Sequence, residues 1–273
     1  MQVLTGAVLL WWIVEDSRMS DVYDNPKYYE IAFGFRDIAA EVDLFERCFR
    51  RYSKIPVKSV LELGCGNSPH MVEFAKRGYQ YNGIDSNENM LAYSRQKASD
   101  ARISASMINA DMIEFSTDRR HDFIYVMLGS LAVKNTQDIV NHFKSIAGEL
   151  YIGGLYLLDW CVQFDPPWEL QTKHTWEMER DGIVVRTTHS CELISLVEQT
   201  FYETLRLDVN DNGERLSLVD KTVRRAIFPQ EFLRFIECHE HFEFVGWWNS
   251  WDLSQPLERT NKIDRPIVLV RRI

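Results

Sequence analysis

Long apolar runs are scarce in this 273-residue chain. The longest, Val3 to Val14, has twelve residues, well short of the ~20 that a membrane-crossing helix needs. No Lys or Arg precedes it and no A-x-A site follows it, so it does not have the form of a secretory leader. Residues 1–18 read instead as an extension upstream of a start at Met19, the alternative being an apolar arm that packs on the body or on a partner chain. Cysteine is sparse as well. The five residues, Cys48, Cys65, Cys161, Cys191 and Cys238, are odd in number and scattered, with no C-x-x-C. That excludes a disulfide framework and fits a reducing cytoplasm. Positive charge is in deficit, 31 Lys and Arg against 40 Asp and Glu, for a net charge of −9. A large phosphate-backbone footprint needs clustered cations and is therefore not expected. The short pairs Arg119-Arg120, Arg224-Arg225 and Arg271-Arg272 read as solvated faces. No repeat or low-complexity tract is present.

What remains is ordinary globular composition, 45% apolar, 12% aromatic and 26% charged. The length suits one large domain or one carrying a smaller one. Ile38, Val42, Phe45 and Phe49 mark one face of a helix over 36–51. Strands are expected at 57–63, 79–84, 103–108, 122–128 and 155–159, with helices at 68–77, 87–98 (capped by Asn87) and 138–150 between them. That alternation predicts a parallel sheet with helices on both faces. After Asp159 the rhythm changes. Residues 183–212 carry no Gly or Pro, and Leu205, Leu207 and Val209 alternate with charged residues. Asn212-Gly213 is a hairpin turn signal. Antiparallel strands are expected over 170–227, then a helix at 230–238 and two strands at 242–248 and 267–271. The implied organisation is an N-terminal extension (1–18), a helical lid segment (19–56), an α/β core (57–164), an antiparallel β insertion after strand five that roofs the site (165–228), and a C-terminal part completing the core (229–273).

The sharpest chemical signal is Glu62-Leu63-Gly64-Cys65-Gly66-Asn67-Ser68 at the end of the first strand, with Asp85 at the tip of the second. Glycines after a strand let the chain turn tightly and let a ligand approach without meeting a Cβ. An acid at the next strand tip is placed to accept the hydroxyls of a ribose. A dinucleotide site wants G-x-G-x-x-G, and here Pro69 stands where the third Gly would be. That weakens the reading as an NAD-linked oxidoreductase and favours a phosphate-free nucleoside.

These residues resemble the class I S-adenosylmethionine (SAM)-dependent methyltransferases. Glu62-Leu63-Gly64-Cys65-Gly66 is similar to the family's first motif, Gly83-Ile84-Asp85-Ser86 with Met90-Leu91 to its second, and Asn109-Ala110-Asp111-Met112 to its third. The resemblance covers roughly residues 57–160, with Ser68 departing from a third Gly found in many members. It implies a Rossmann-like doubly wound α/β sheet and SAM as cofactor. It also implies a cofactor set of Glu62, Gly64, Cys65, Gly66, Asp85, Ser86, Met90, Asp111, Met112 and Met127. In that set Asp85 holds the ribose, Asp111 the adenine amine, and Met127 lies near the sulfonium. The Tyr-rich start (Tyr23, Tyr28, Tyr29), the β insertion and the late Gly246-Trp247-Trp248 stretch resemble nucleotide-sugar amine and glycine N-methyltransferases. The His that some nucleotide-sugar members carry after strand four has no match in Gly129-Ser130-Leu131-Ala132-Val133-Lys134.

The expectation is methyl transfer to an amine or hydroxyl of a small molecule, with no nucleic-acid or membrane partner and a homodimer as the assembly to test. A catalytically inactive SAM-binding module is the other alternative. His174, His189 and Tyr29 are the candidates near the acceptor. Tyr28 and Tyr29 could close as a lid, and the tryptophans of the second half could form an aromatic wall. Cys238-His239-Glu240-His241 holds ligand-type residues, but its spacing does not build a metal site. His142, four residues after Asp138, is expected in a surface pair.

Overall fold

The computed structural model describes residues 21–169, 173–259 and 262–273. The proposed extension 1–18 and Met19 lie outside them.

The first half alternates as its apolar pattern requires. After helices α1 (Pro26–Ala32) and α2 (Ile38–Tyr52) come β1 (Ser59–Leu63), α3 (Met71–Lys76), β2 (Gln80–Asp85), α4 (Glu88–Asp100), β3 (Ser106–Asn109), β4 (His121–Val126), α5 (Thr136–Glu149) and β5 (Leu150–Asp159). Asn87 caps α4 by accepting from Met90 N, and Asn135 caps α5 through Asp138 N. The chain then builds β6 (His174–Arg180), β7 (Ile183–Ser195), β8 (Thr200–Asp211) and β9 (Glu214–Arg225), followed by α6 (Pro229–Cys238), β10 (Phe242–Trp248) and β11 (Ile267–Arg272).

Two sheets result. The larger runs β10-β11-β5-β4-β1-β2-β3, with β1 to β5 parallel and β11 antiparallel to β5. Its strand order reverses between β1 and β4, the crevice where open α/β sheets bind ligands. The strands distribute alternate residues to the two faces. Leu61, Leu63, Ile124 and Val126 pack with Phe143 of α5 and Phe232 of α6. Val60, Phe123 and Tyr125 pack with Phe45 of α2, Phe74 of α3 and Leu91 of α4. Each fully buried side chain of this size adds roughly 1.5–3 kcal/mol of apolar transfer free energy. The smaller sheet is the antiparallel meander β6-β7-β8-β9, joined at Asn212-Gly213 by a turn with positive φ at both residues. Its inner face buries Ile183, Val185, Leu207 and Val209 against Ile31 and Ala32 of α1.

Two local expectations change. β5 starts at Leu150, not at 155, because a register shift opposite His121 and Phe123 lets the ladder begin earlier. A Cβ at Gly154 would lie 2.6 Å from Asp122 O, so only glycine admits that crossing. His142 is not on the surface. It is fully buried, with Nε2 2.7 Å from Tyr156 Oη and Nδ1 2.7 Å from Met112 O. The α5 stripe Ile139, Phe143, Ile146 turns this position inward, and a ring with two partners tolerates it.

Burial pushes His142 and His121 down to about 4 each. A histidine held neutral in the fold contributes stability above its unfolded pKa of about 6.5, and that contribution is lost as pH falls toward 4. His121 is 1% exposed and neither ring nitrogen has a partner among the described residues. His121→Phe should therefore flatten the acid limb of the stability curve. Urea unfolding at pH 5 and pH 7.5 should show a wild-type loss reduced in the variant by up to about 2 kcal/mol.

Candidate active site

The glycine bend follows β1. Gly64 and Gly66 have φ of +61° and +51°, and Ser68, where many family members have Gly, is also left-handed at +47°. Asp85, at the tip of β2, accepts from Gly66 N and Asn87 N, both at 2.8 Å. Burial pushes its carboxyl up, countered by those two amides. A Cβ on Gly66 would meet Tyr29 Cε1 at 3.9 Å and Met90 Sδ at 4.0 Å, and one on Gly64 would meet Met112 Cε at 2.8 Å. Tyr29, Gly64, Cys65 and Gly66 line one crevice, with Met127 and Leu128 on its β4 side, while Asp85, Met90 and Met112 pack against its two glycines. Ser86 and Asp111 are exposed at the neighbouring strand ends. Asp111 accepts from Ile113 N at 2.8 Å in the turn after β3.

Glu62 lies on the crevice wall, but its carboxylate is occupied. It accepts from Tyr81 Oη at 2.5 Å and Tyr125 Oη at 3.0 Å, and meets His70 Nδ1 at 3.1 Å. His70 Nε2 meets Glu41 Oε2 at 2.9 Å. Burial works against charge on His70, but Glu62 and Glu41 overcome it and hold the ring protonated above its ordinary pKa. Glu41 also takes Arg36 bidentately (Nη2 2.6 Å, Nε 3.2 Å) and Arg265 Nη1 at 3.1 Å. Arg265 passes to Asp159, which in turn accepts from Leu128 N at 2.8 Å. A buried chain of charges therefore joins the β1 bend to the β4 turn. Sequence reasoning missed Arg36, Glu41, His70, Asp159 and Arg265, which are far apart along the chain and carry no motif.

The roof stands over the β4 end. Strand parity puts His189, Cys191, Glu203, Asp220, Thr222 and Arg224 on the face that also carries Leu205 and Leu207. Arg224 Nη1 donates to Gly129 O, just beyond β4, and its Nε lies 2.7 Å from Glu203 Oε2. This corrects the reading of Arg224 as a solvated residue. The β insertion returns this end of β9 to the sheet core, where the carbonyl and carboxylate accept the guanidinium. His189 Nε2 is 3.1 Å from Glu203 Oε1. Burial lowers its affinity for a proton, but Cys191 and Glu203 lift it to about 9, so it is an imidazolium at neutral pH. His189, Cys191 and Glu203 offer ligand atoms within 4.8 Å of one another. The Arg224 guanidinium beside Glu203 opposes a second cation there.

His174 is exposed at the start of β6, opposite His189 in register. Tyr29 reaches the crevice. Burial, relieved in part by Arg36, pushes its phenol up to about 12, which keeps it neutral. Tyr23 packs against it with the rings tilted at 46° and 5.7 Å between centroids. The segment is fixed by Glu30, which binds Lys97 Nζ at 2.6 Å, Tyr93 Oη at 2.8 Å and Arg180 Nη2 at 2.9 Å. Tyr28 instead donates to Asp211 at 3.0 Å, at the far edge of the roof. The tryptophans do not form one wall. Trp247 and Trp248 are core residues, Trp176 donates to Ala32 O, and Trp251 donates to Asp159.

Residues 60–154 match the family described as a methyltransferase domain. The chain is 30% identical over 184 residues to the methyltransferase-named YqeM of Bacillus subtilis (strain 168), covering 66% of this chain and 71% of that protein. It is 28% identical over 179 residues to the dTDP-3-amino-3,4,6-trideoxy-alpha-D-glucopyranose N,N-dimethyltransferase of Streptomyces venezuelae, covering 63% and 69%. The crystal structure of Streptomyces venezuelae DesVI superposes with a TM-score of 0.72 at 18% identity, covering 93% of this chain and 99% of that one. SAM-bound CalS10, an amino pentose methyltransferase from Micromonospora echinaspora, gives 0.66 at 15%, covering 90% and 96%. The fold is that of the class I SAM-dependent methyltransferases. The chain belongs to the methyltransferase family, and SAM is the cofactor that goes with this assignment. No helix among the described residues is long and apolar enough to cross a membrane.

Two variants test the scaffold. His70→Ala leaves Glu62 and Glu41 buried without their shared cation and should cost about 3–5 kcal/mol in urea unfolding. Gly64→Ala forces a side chain into a left-handed position and against Met112. Backbone strain of about 1–2 kcal/mol and loss of SAM binding by calorimetry are expected.

Proposed function

We propose that the protein transfers a methyl group from SAM to an amine of a small molecule, with amino sugars as the leading acceptor class. The observation that carries this reading is the Gly66–Asp85 clamp lying beside a roof face of fixed charges anchored on Gly129. The bend fits the cofactor: left-handed glycines leave open the space that a Cβ would fill, and Asp85 stands at the neighbouring strand tip. Asp85 would hold the ribose hydroxyls, and Met90 and Met112 would flank the adenosine. Arg36 uses Nε and Nη2 on Glu41, which leaves Nη1 for the cofactor's carboxylate at the crevice. When bound, SAM supplies a methyl group already activated on a sulfonium, so the protein's work is positioning and exclusion of water.

The choice of amine over hydroxyl rests on the protonation of the two candidate bases, His189 and Tyr29. His189 is protonated up to about 9 and Tyr29 neutral up to about 12, so neither takes a proton at pH 7. A hydroxyl needs such a base in the transition state. An amine brings its own lone pair once neutral. The names of DesVI's source relative and of CalS10 support the same acceptor class.

Calorimetry with SAM should give binding that weakens about 10- to 100-fold in Asp85→Ala, the scale of a lost charge-assisted hydrogen bond. Incubation with SAM and a panel of amino sugars, beginning with dTDP-3-amino-3,4,6-trideoxy-α-D-glucopyranose, should yield a product heavier by one CH₂ unit. SAM binding without product from any amine would reassign the chain as a binding module.

A further inference from the structure

Asp220 stands apart from the other charges of the roof. It lies in β9 directly across from Leu205 of β8, on the inner face and half-buried. Glu203 on the same face is held by His189 and Arg224. Asp220 makes no hydrogen bond or ion pair among the described residues. Its surroundings add negative charge: Asp21 on the segment before α1 and Glu203 on β8 both press on it. Burial first, then Asp21, lift its carboxyl to about 6, and Arg224 offsets this only in part. The phenol of Tyr23 lies within the same field, and Tyr23 packs against Tyr29, which lines the crevice. The same face also carries two unsatisfied hydroxyls. Thr187 Oγ1 is fully buried on β7, one pleat from His189, and Thr222 Oγ1 is buried beside Asp220 on β9, and neither has a partner. Buried polar atoms are normally paired, so this face is short of a polar occupant.

We propose that Asp220 is the counter-ion and proton acceptor for the acceptor's ammonium, on an inner-roof subsite bounded by Asp21, Tyr23, Thr222 and Glu203. The assignment rests on the amine reading above. An amine arrives protonated at neutral pH and pairs with Asp220, a half-buried roof carboxylate with no ion pair among the described residues. The N–H bond then breaks as an O–H bond forms on Asp220, which leaves the nitrogen lone pair free. A carboxylate crowded by Asp21 and Glu203 is a better proton acceptor than a solvated one, and the freed amine no longer carries the charge that would block attack. His189 and Arg224 face the same space as cations but are both drawn to Glu203, and Arg224 offsets the charge on Asp220 only in part. A hydroxyl in the same place could donate a hydrogen bond to Asp220 but brings no positive charge, so the subsite favours amines.

The test compares one scaffold in two forms, dTDP-3-amino-3,4,6-trideoxyglucose and its 3-hydroxy counterpart, binding to wild type, Asp220→Asn and Asp220→Glu by calorimetry with S-adenosylhomocysteine present. Wild type should prefer the amine at least tenfold at pH 7.5, and amine affinity should fall about tenfold per pH unit below 6. Asp220→Asn should abolish both the preference and the pH dependence. Asp220→Glu should recover part of each, and S-adenosylhomocysteine affinity should stay unchanged in all three. Melting temperature should not fall in Asp220→Asn, because the carboxylate holds no partner. The carboxyl ¹³C resonance of Asp220 should titrate near 6 in the free protein and move lower when the amine binds. An amine preference that survives in Asp220→Asn overturns the assignment and leaves the amine reading standing. Equal binding of the two forms by wild type, or binding of neither, overturns both.

Discussion

The site depends on one buried chain of charges. Glu62 carries the first-strand end, His70 links it to Glu41, and Glu41 continues through Arg265 to Asp159 and the Leu128 amide. Both strand ends that bracket the ligand crevice are therefore set by the same electrostatic network. Such a network is expensive to desolvate and is tolerated only because each member has several partners. Glu62, for example, meets His70, Tyr81 and Tyr125. The glycine bend is thus held from below, and Asp85 holds it from the side through the Gly66 amide.

The roof answers that scaffold from above. Its apolar half, Ile183, Val185, Leu207 and Val209, packs on α1 and fixes the height of the sheet. Its charged half hangs over the end of β4 by the Arg224 contact to Gly129 O. Tyr29 and Tyr23 connect the halves, and Glu30 anchors their helix to α4 and β6, its carboxyl drawn down to about 2 by Lys97, Tyr93 and Arg180 against the cost of burial. The glycine bend and the charged roof face thus belong to different sheets, joined through α1, the Tyr23–Tyr29 contact and the Arg224 bond to Gly129 O.

Much of this was legible in the chain itself. The glycine bend, the Asp85 strand tip and the Asn212-Gly213 hairpin are local: their backbone angles follow from the residues present. So does the alternation of β8, because one face must be apolar to cover α1. What could not be read was set by distance along the chain. Glu41 and Arg265 meet only after the sheet closes, and His142 is buried because α5 turns inward beside Tyr156. The charge on Arg224 suggested solvent until β9 brought it to Gly129. The tryptophans looked like a binding surface by composition, while packing places most of them in framework positions. Asp220 has no motif at all. It stands out only when the neighbouring carboxylates are seen to lack a cation for it.

The roof also has a simple connectivity. β6 to β9 are contiguous in sequence, and a small set of polar seams ties them to the rest, among them Tyr28 to Asp211, Trp176 to Ala32 O, Arg180 to Glu30, Arg224 to Gly129 O, Arg225 N to Val133 O and Arg225 to Glu231. A natural recombination event could exchange this block as one cassette while the nucleoside-holding half stayed unaltered. In such a lineage, acceptor diversity would evolve by replacing a lid of four ribbons, and the donor machinery would be inherited whole.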